Sequence, residues 1–184
     1  MKRIFDVILV FPTLIMLIPV FAIVSFAIRI DSSGPALFRQ IRVGRGCTEF
    51  ELLKFRSMQV DADKTGAFRT AAADPRVTRV GRIIRRTSID ELPQLLNVLI
   101  GDMSLVGPRP DVPMQQSEYS DGDWKKRHRV RPGITGLAQV EGRSIVSPAR
   151  RLELDLKYVD THSFSMDLKI IARTFIQVLA KGGN

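Results

Sequence analysis

Apolar residues run almost unbroken from Ile4 to Ile28, with only Asp6, Thr13 and Ser25 interrupting them. As a straight helix this stretch would extend roughly 37 Å, enough to cross a hydrocarbon core of about 30 Å. Two features argue against simple spanning. Pro12 and Pro19 fall inside the run, and Pro19 near its middle removes a backbone hydrogen bond and bends a helix. Basic residues also flank both ends: Lys2 and Arg3 before it, Arg29, Arg39, Arg42 and Arg45 after it. The positive-inside rule keeps both flanks cytoplasmic. A bent, re-entrant helix that enters and leaves by one leaflet satisfies both observations. An ordinary spanning helix, a cleaved signal and a buried core helix are the alternatives, and the run is longer than the apolar region of a usual signal.

Beyond it the pattern shortens. Asp31-Ser32-Ser33-Gly34-Pro35 is a turn cluster and a boundary. Phe50 to Met58 is mixed and suits a strand or a helix, while Asp61 to Arg76 is polar, Ala-rich and without period, as in a mobile loop. Leu92 to Leu99 predicts a helix that stops at Gly101. Ser147-Pro148 predicts a helix start, running to about Tyr158. Met166 to Ala180 predicts an amphipathic helix, whose Ile170, Ile171, Phe175, Val178 and Leu179 suit a core or a membrane interface.

Composition narrows the partners. A formal charge of +9 calls for an anionic one: nucleic acid, a phosphorylated substrate or acidic lipid. One Trp and two Tyr leave little for base stacking, which puts membrane and phosphate ahead of nucleic acid. The single cysteine, Cys47, excludes a disulfide framework within the chain. With two histidines and no phosphate-binding glycine loop, a carboxylate is the candidate reactive group.

The carboxylates that stand out are Asp90 and Glu91, adjacent and opening the apolar run at Leu92. Ser88-x-x-Glu91 matches a capping box, which gives the pair a purely structural reading. That register would place Pro93 deep in the first turns, so a helix starting nearer Asp90 fits better. Adjacent helical residues point about 100° apart, so the two carboxylates would differ in role. Arg85 and Arg86 precede them, and Arg109 follows between Pro108 and Pro110. Arginine forks match phosphate oxygens, although a basic pair is also an ordinary solvated face. Lys125 to Arg131 is the densest basic run and reads first as a solvated helix face, with lipid headgroups as a second reading. Asp61-Ala62-Asp63 and Asp121-Gly122-Asp123 match a DxD pattern, which some metal-dependent glycosyltransferases use and which loop solubility also explains.

The motifs, taken in order, resemble those of one family from end to end. KRIFD at Lys2 to Asp6, GPALFRQIRVGRG at Gly34 to Gly46 and KFRSM at Lys54 to Met58 are similar to its first blocks. DPRVTRVGRIIRRTSIDELPQLLNVLIGDMSLVGPRP at Asp74 to Pro110 and RPGITGLAQVEGR at Arg131 to Arg143 resemble its core signatures, followed by LELDLKYVD and MDLKII. The chain is identified on these as a member of the monotopic phosphoglycosyl transferases, or bacterial sugar transferases. Ile18-Pro19 departs from the Ser-Pro that several members carry at the helix break.

The resemblance implies a reaction and a place for it. Such enzymes move a phosphosugar from a UDP-sugar to a polyprenyl (undecaprenyl) phosphate and release UMP, the first membrane step of glycoconjugate assembly. Asp90 then corresponds to the nucleophile that forms a covalent phosphosugar intermediate and to the holder of Mg²⁺, and Glu91 to the second carboxylate of the dyad. Lys54, Arg85 and Arg109 are expected to face phosphates, and Gly133, Gly136, Gln139 and Arg143 to shape the nucleotide side. The fold expected is α+β and mostly helical: a re-entrant membrane helix over residues 1–30 and a small catalytic domain over 31–184, with amphipathic interfacial helices. It would sit on the cytoplasmic face of the bacterial inner membrane, against membrane lipid and with no nucleic-acid partner.

Overall fold

A computed structural model describes residues 2–62, 74–142 and 147–181. The apolar run lies within one helix, α1 (Lys2–Asp31), which includes both Pro12 and Pro19. Asp6, Val10, Leu14, Leu17, Phe21, Val24 and Ile28 recur at helical spacing and form the face packed on the rest of the chain. Phe11, Ile15, Met16, Ile18, Ile23 and Phe26 are exposed on the other side. Only 11% of its most apolar stretch is buried, so α1 is not the core helix of a soluble domain. By length and composition it is able to cross a membrane.

Polar side chains tie both ends of α1 down. Lys2 donates to the Val106 carbonyl at 2.9 Å and to Asp167 at 2.6 Å. Asp6, an acid in an apolar helix, accepts from Ser104 Oγ at 2.8 Å, which accounts for its burial. Asp31 at the far end accepts from the Val80 amide at 2.8 Å.

After the turn cluster, β1 (Leu37–Val43) and β2 (Glu49–Phe55) form an antiparallel hairpin in the register Leu37 to Phe55 and Val43 to Glu49. The ambiguous segment from Phe50 is therefore strand. Most of the expected loop, residues 63–73, lies outside the described residues. Helix α2 (Arg79–Arg86), capped by Thr78, leads to a 3-10 turn at Ile89–Glu91 and then to α3 (Gln94–Ile100). The helix expected from Leu92 thus starts at Gln94, because Pro93 occupies its N-cap, and it ends at Gly101 (φ 107°) as expected. Strand β3 (Ser104–Val106) pairs in parallel with β4 (Gly133–Thr135). Between them lies α4 (Asp121–Arg127), and after β4 come α5 (Leu137–Gly142), α6 (Pro148–Thr161) and α7 (Phe164–Lys181). The Ser147 hydroxyl accepts from the Arg150 amide, so α6 begins where Ser147-Pro148 predicts. The described residues form a mostly helical α+β fold with two small sheets.

Three apolar clusters hold it together. Val10 joins Leu52, Leu95, Val98 and Met103, and Val24 and Ile28 join Phe55 and Ile84. The third gathers Val106, Leu137, Val140, Leu154, Tyr158 and Ile170, placing the inner face of α7 on the core while Phe175, Ile176 and Val178 stay exposed. The basic run departs from a plain solvated face. Arg127 and His128 are 2% and 3% exposed, on the side of α4 that also buries Trp124.

Candidate active site

Asp90 and Glu91 sit on the 3-10 turn between α2 and α3. Three residues per turn puts neighbours about 120° apart, so their carboxylates diverge. The turn is entered through Ser88 in the left-handed region (φ 58°), with no side-chain cap. The capping box is therefore not formed, and the Glu91 side chain is committed elsewhere. Left-handed backbone at a non-glycine residue costs roughly 1 kcal/mol or more, and such strain collects at functional sites.

Glu91 is held by two cations. Lys54, from the end of β2, donates to its Oε1 at 3.1 Å. Arg109 grips both oxygens, donating to Oε2 at 3.4 Å and more closely to Oε1. Burial alone would raise the Glu91 carboxyl, but Arg109 and Lys54 override it and hold it at about 2. The Lys54 ammonium is shifted down, first by burial.

Asp90 is treated in the opposite way. It is 9% exposed and has no hydrogen-bond or ion-pair partner among the described residues. Burial pushes its carboxyl up, the negative charge of Glu91 adds to that, and Lys54, Arg85 and Arg109 pull against both. Neighbouring carboxylates whose environments drive them apart are suited to different tasks. The half-buried Arg85 of α2 is close enough to act on Asp90 electrostatically.

Arg109 is aimed from behind. Arg42 on β1 donates to the Pro110 carbonyl at 2.9 Å, and Arg127 donates to the Arg109 carbonyl at 2.7 Å. Arg127 also donates to Asp155 Oδ2 at 3.0 Å and contacts Asp111, while Arg151 reaches Asp111 at 3.0 Å. Burial, then the charge of Arg109 beside it, lowers the Arg42 guanidinium to about 10. Sequence reasoning singled out none of Arg42, Asp111, Arg127 or Asp155 for the site. Arg127 had one readable signal: it follows Trp124 by three residues, on the same helical face.

Gly133 and Gly136 are brought to this support layer rather than to the carboxylates. A Cβ on Gly133 would lie 2.0 Å from the Gly107 amide nitrogen, and one on Gly136 would lie 2.2 Å from the Gly107 carbonyl oxygen. Both positions need glycine because β4 and the following turn press on the backbone just before Pro108-Arg109. Gln139 donates to the Ile134 carbonyl at 3.1 Å. Arg143 lies outside the described residues.

Among the described residues the dyad is where a metal would be held. Mg²⁺ usually takes one or two carboxylates and completes its shell with water and substrate phosphates. Glu91 is occupied by two cations, whereas Asp90 has no partner among the described residues, so of the two it is Asp90 that fits an ion. Among the described residues no three His, Cys, Asp or Glu side chains gather as a metal cluster. Of the DxD pairs, Asp121 and Asp123 lie in the first turn of α4, where Ser120 hydrogen-bonds Asp123 at 2.8 Å. Asp63 of the other pair lies outside the described residues.

Residues 1–181 match the model of a family described as bacterial sugar transferase. The chain belongs to that family. It is thus an enzyme, of the phosphoglycosyl transferase class that its motifs indicate. It is 42% identical over 193 residues to the exopolysaccharide production protein PSS of Rhizobium leguminosarum bv. phaseoli, covering 99% of this chain and 96% of that one. A UDP-glucose:undecaprenyl-phosphate glucose-1-phosphate transferase of Caulobacter vibrioides is 44% identical over 185 residues, covering 97% of this chain and 69% of that one. The galactosyl transferase CpsE of Streptococcus agalactiae serotype III is 44% identical over 162 residues, covering 82% of this chain and 36% of that one.

Proposed function

We propose that this enzyme transfers a sugar 1-phosphate from a UDP-sugar to a polyprenyl phosphate at the cytoplasmic face of the bacterial inner membrane, releasing UMP. The observation that carries the reading is the division of labour in the dyad: Glu91 is neutralised by Lys54 and Arg109, and Asp90 beside it is buried and has no partner among the described residues. The relative named for glucose-1-phosphate transfer to undecaprenyl phosphate supports the same reaction class.

In the first half-reaction a carboxylate oxygen of Asp90 attacks the sugar-bearing phosphorus. The new O–P bond forms as the bond to the bridging oxygen breaks, and UMP leaves with that electron pair. A carboxylate needs no separate base, which suits a chain with two histidines and one cysteine. An anion attacking a diphosphate requires neutralisation, and Lys54, Arg85 and Arg109 surround the approach. Arg109 spends one N–H of each terminal nitrogen on Glu91 and keeps others for phosphate oxygens. Mg²⁺ held by Asp90 would add Lewis-acid neutralisation of the diphosphate. In the second half-reaction a phosphate oxygen of the polyprenyl phosphate attacks the phosphorus on Asp90, forming the lipid diphosphate sugar and regenerating the carboxylate.

The acceptor lies in a membrane, and α1 supports its capture there, since it is apolar outward and joined to the domain at both ends. The relatives' names point to glucose in one case and galactose in another, so donor identity is set by comparing the two UDP-sugars. The test uses donor without acceptor. Intact-protein mass spectrometry should show one phosphosugar on the wild type with one equivalent of UMP released, and neither in Asp90→Asn. Full turnover by Asp90→Asn would sink the mechanism.

A further inference from the structure

A cavity of about 480 Å³ lies at the opposite end of α3 from the dyad. Arg3, in its wall, donates to the Val98 and Leu99 carbonyls, and Arg131, also in its wall, donates to the Gly101 carbonyl, all at the C-terminal end of α3. Asp90 and Glu91 precede the N-terminal end. The seven residues of α3 separate the two places by about 10 Å.

The cavity is lined by Lys2, Arg3, Arg45, Arg129 and Arg131 against Asp6 and Asp160. Both acids are occupied elsewhere: Asp6 accepts from Ser104, and Asp160 pairs with Lys126 at 2.7 Å. Lys2 is neutralised by Asp167. That leaves Arg3, Arg45, Arg129 and Arg131 with no carboxylate partner among the described residues. Arg3 spends both terminal nitrogens on the Val98 and Leu99 carbonyls, so Arg45, Arg129 and Arg131 are the three with donors to offer an anion. Two of them are fixed by their inner nitrogen. Arg45 Nε donates to the Arg129 carbonyl at 3.2 Å and Arg131 Nε to the Gly101 carbonyl at 2.8 Å. Their outer N–H edges remain to bind a ligand. Three guanidinium groups in one wall repel each other until an anion joins them, and their forked donors match phosphate oxygens.

The volume is that of a small-molecule site. The start of α1 forms part of its wall through Lys2, Arg3 and Asp6. Lys2 and Arg3 in its wall open the helix that is long and apolar enough to cross a membrane, so a phosphate bound here lies where that helix begins, at the level expected for lipid headgroups. We propose that this cavity binds the phosphate of an anionic membrane phospholipid through Arg45, Arg129 and Arg131, as a site separate from the dyad. Of the basic run at 125–131 it takes in Arg129 and Arg131 and leaves out Lys125.

The test is binding to the full chain in a neutral detergent, read by isothermal titration calorimetry. The probes are short-chain phosphatidylglycerol, short-chain phosphatidylcholine, inorganic phosphate and UMP. Phosphatidylglycerol should bind, and Arg129→Gln should weaken it at least tenfold. The Arg129 side chain makes no hydrogen bond or ion pair among the described residues, so that variant should leave the fold intact by circular dichroism. Lys125→Gln, on the same run but outside the cavity, should bind as the wild type does. Equal weakening by Lys125→Gln would mean diffuse charge and overturn the site, as would unchanged binding by Arg129→Gln. Inorganic phosphate or UMP binding as tightly as phosphatidylglycerol, and losing it with Arg129, would keep the anion site and overturn its assignment to lipid.

Discussion

At the residue scale the question is why two adjacent carboxylates behave differently. Lys54 and Arg109 converge on Glu91, while Asp90 is buried with no hydrogen-bond partner among the described residues. The proton affinity of Asp90 is raised first by burial and then by the charge of Glu91. A carboxylate attacks only when ionised, so UMP release from donor alone should be present above the pKa of Asp90 and lost as pH falls through it. The acid limb should therefore lie above the ordinary aspartate value of 3.8. Glu91→Gln removes a negative neighbour and leaves two cations uncompensated, so the limb should move to lower pH although the rate falls. A pH profile of the half-reaction checks this, and an unmoved limb would show that Glu91 does not tune Asp90. Arg109→Lys keeps the charge but cannot span both oxygens of Glu91, and it should slow turnover about tenfold or more, on the order of 1.4 kcal/mol. Steady-state rates that match the wild type would show the fork geometry to be irrelevant.

At the element scale the dyad was legible in the sequence and its support was not. Chemistry-bearing residues are rare in this chain, so Asp90-Glu91 and Pro108-Arg109-Pro110 stand out one by one. The layer behind them depends on contacts between distant segments: Arg42 on β1, Arg127 on α4 and Asp155 on α6. A charge run reads as solvated by default, and nothing local reveals that Arg127 meets Asp111 and Asp155 in the interior. Gly133 and Gly136 were legible as special, but their reason, the close approach of Gly107, is tertiary. Arg127→Met should leave Asp111 and Asp155, 1% and 2% exposed, with Arg151 as their one remaining cation among the described residues, at 3.0 Å and 3.8 Å. Breaking such a pair costs about 3–5 kcal/mol. Denaturant unfolding should report a loss of that order, and a change below about 1 kcal/mol would mean that the network contributes little. Gly136→Ala places a carbon against backbone rather than a flexible side chain, so it should lower both stability and activity by displacing Arg109.

At the scale of the whole molecule, the placement of α1 decides where the enzyme sits. The sequence already set basic flanks and a central proline against simple spanning. The fold adds a mechanical argument. Lys2 and Arg3 bond to Val106, Asp167 and the end of α3, Asp31 bonds to α2, and the face between them packs on β2 and α3. A helix that crossed the bilayer would carry its first residues to the far side and forfeit the bonds of Lys2, Arg3 and Asp6, along with the burial of Val10. Several buried polar groups would lose their partners together, Asp167 and Ser104 among them. Both ends of α1 should therefore stay on the cytoplasmic side with the domain. The native Cys47, exposed in the β1–β2 turn, is one reporter. A cysteine added ahead of Met1 in a Cys47→Ser background is the other. In intact cells a membrane-impermeant maleimide should label neither, and both should react once the membrane is opened. Labelling of the added cysteine in intact cells would mean that α1 spans, and that the contacts of Lys2 and Arg3 do not form in the membrane.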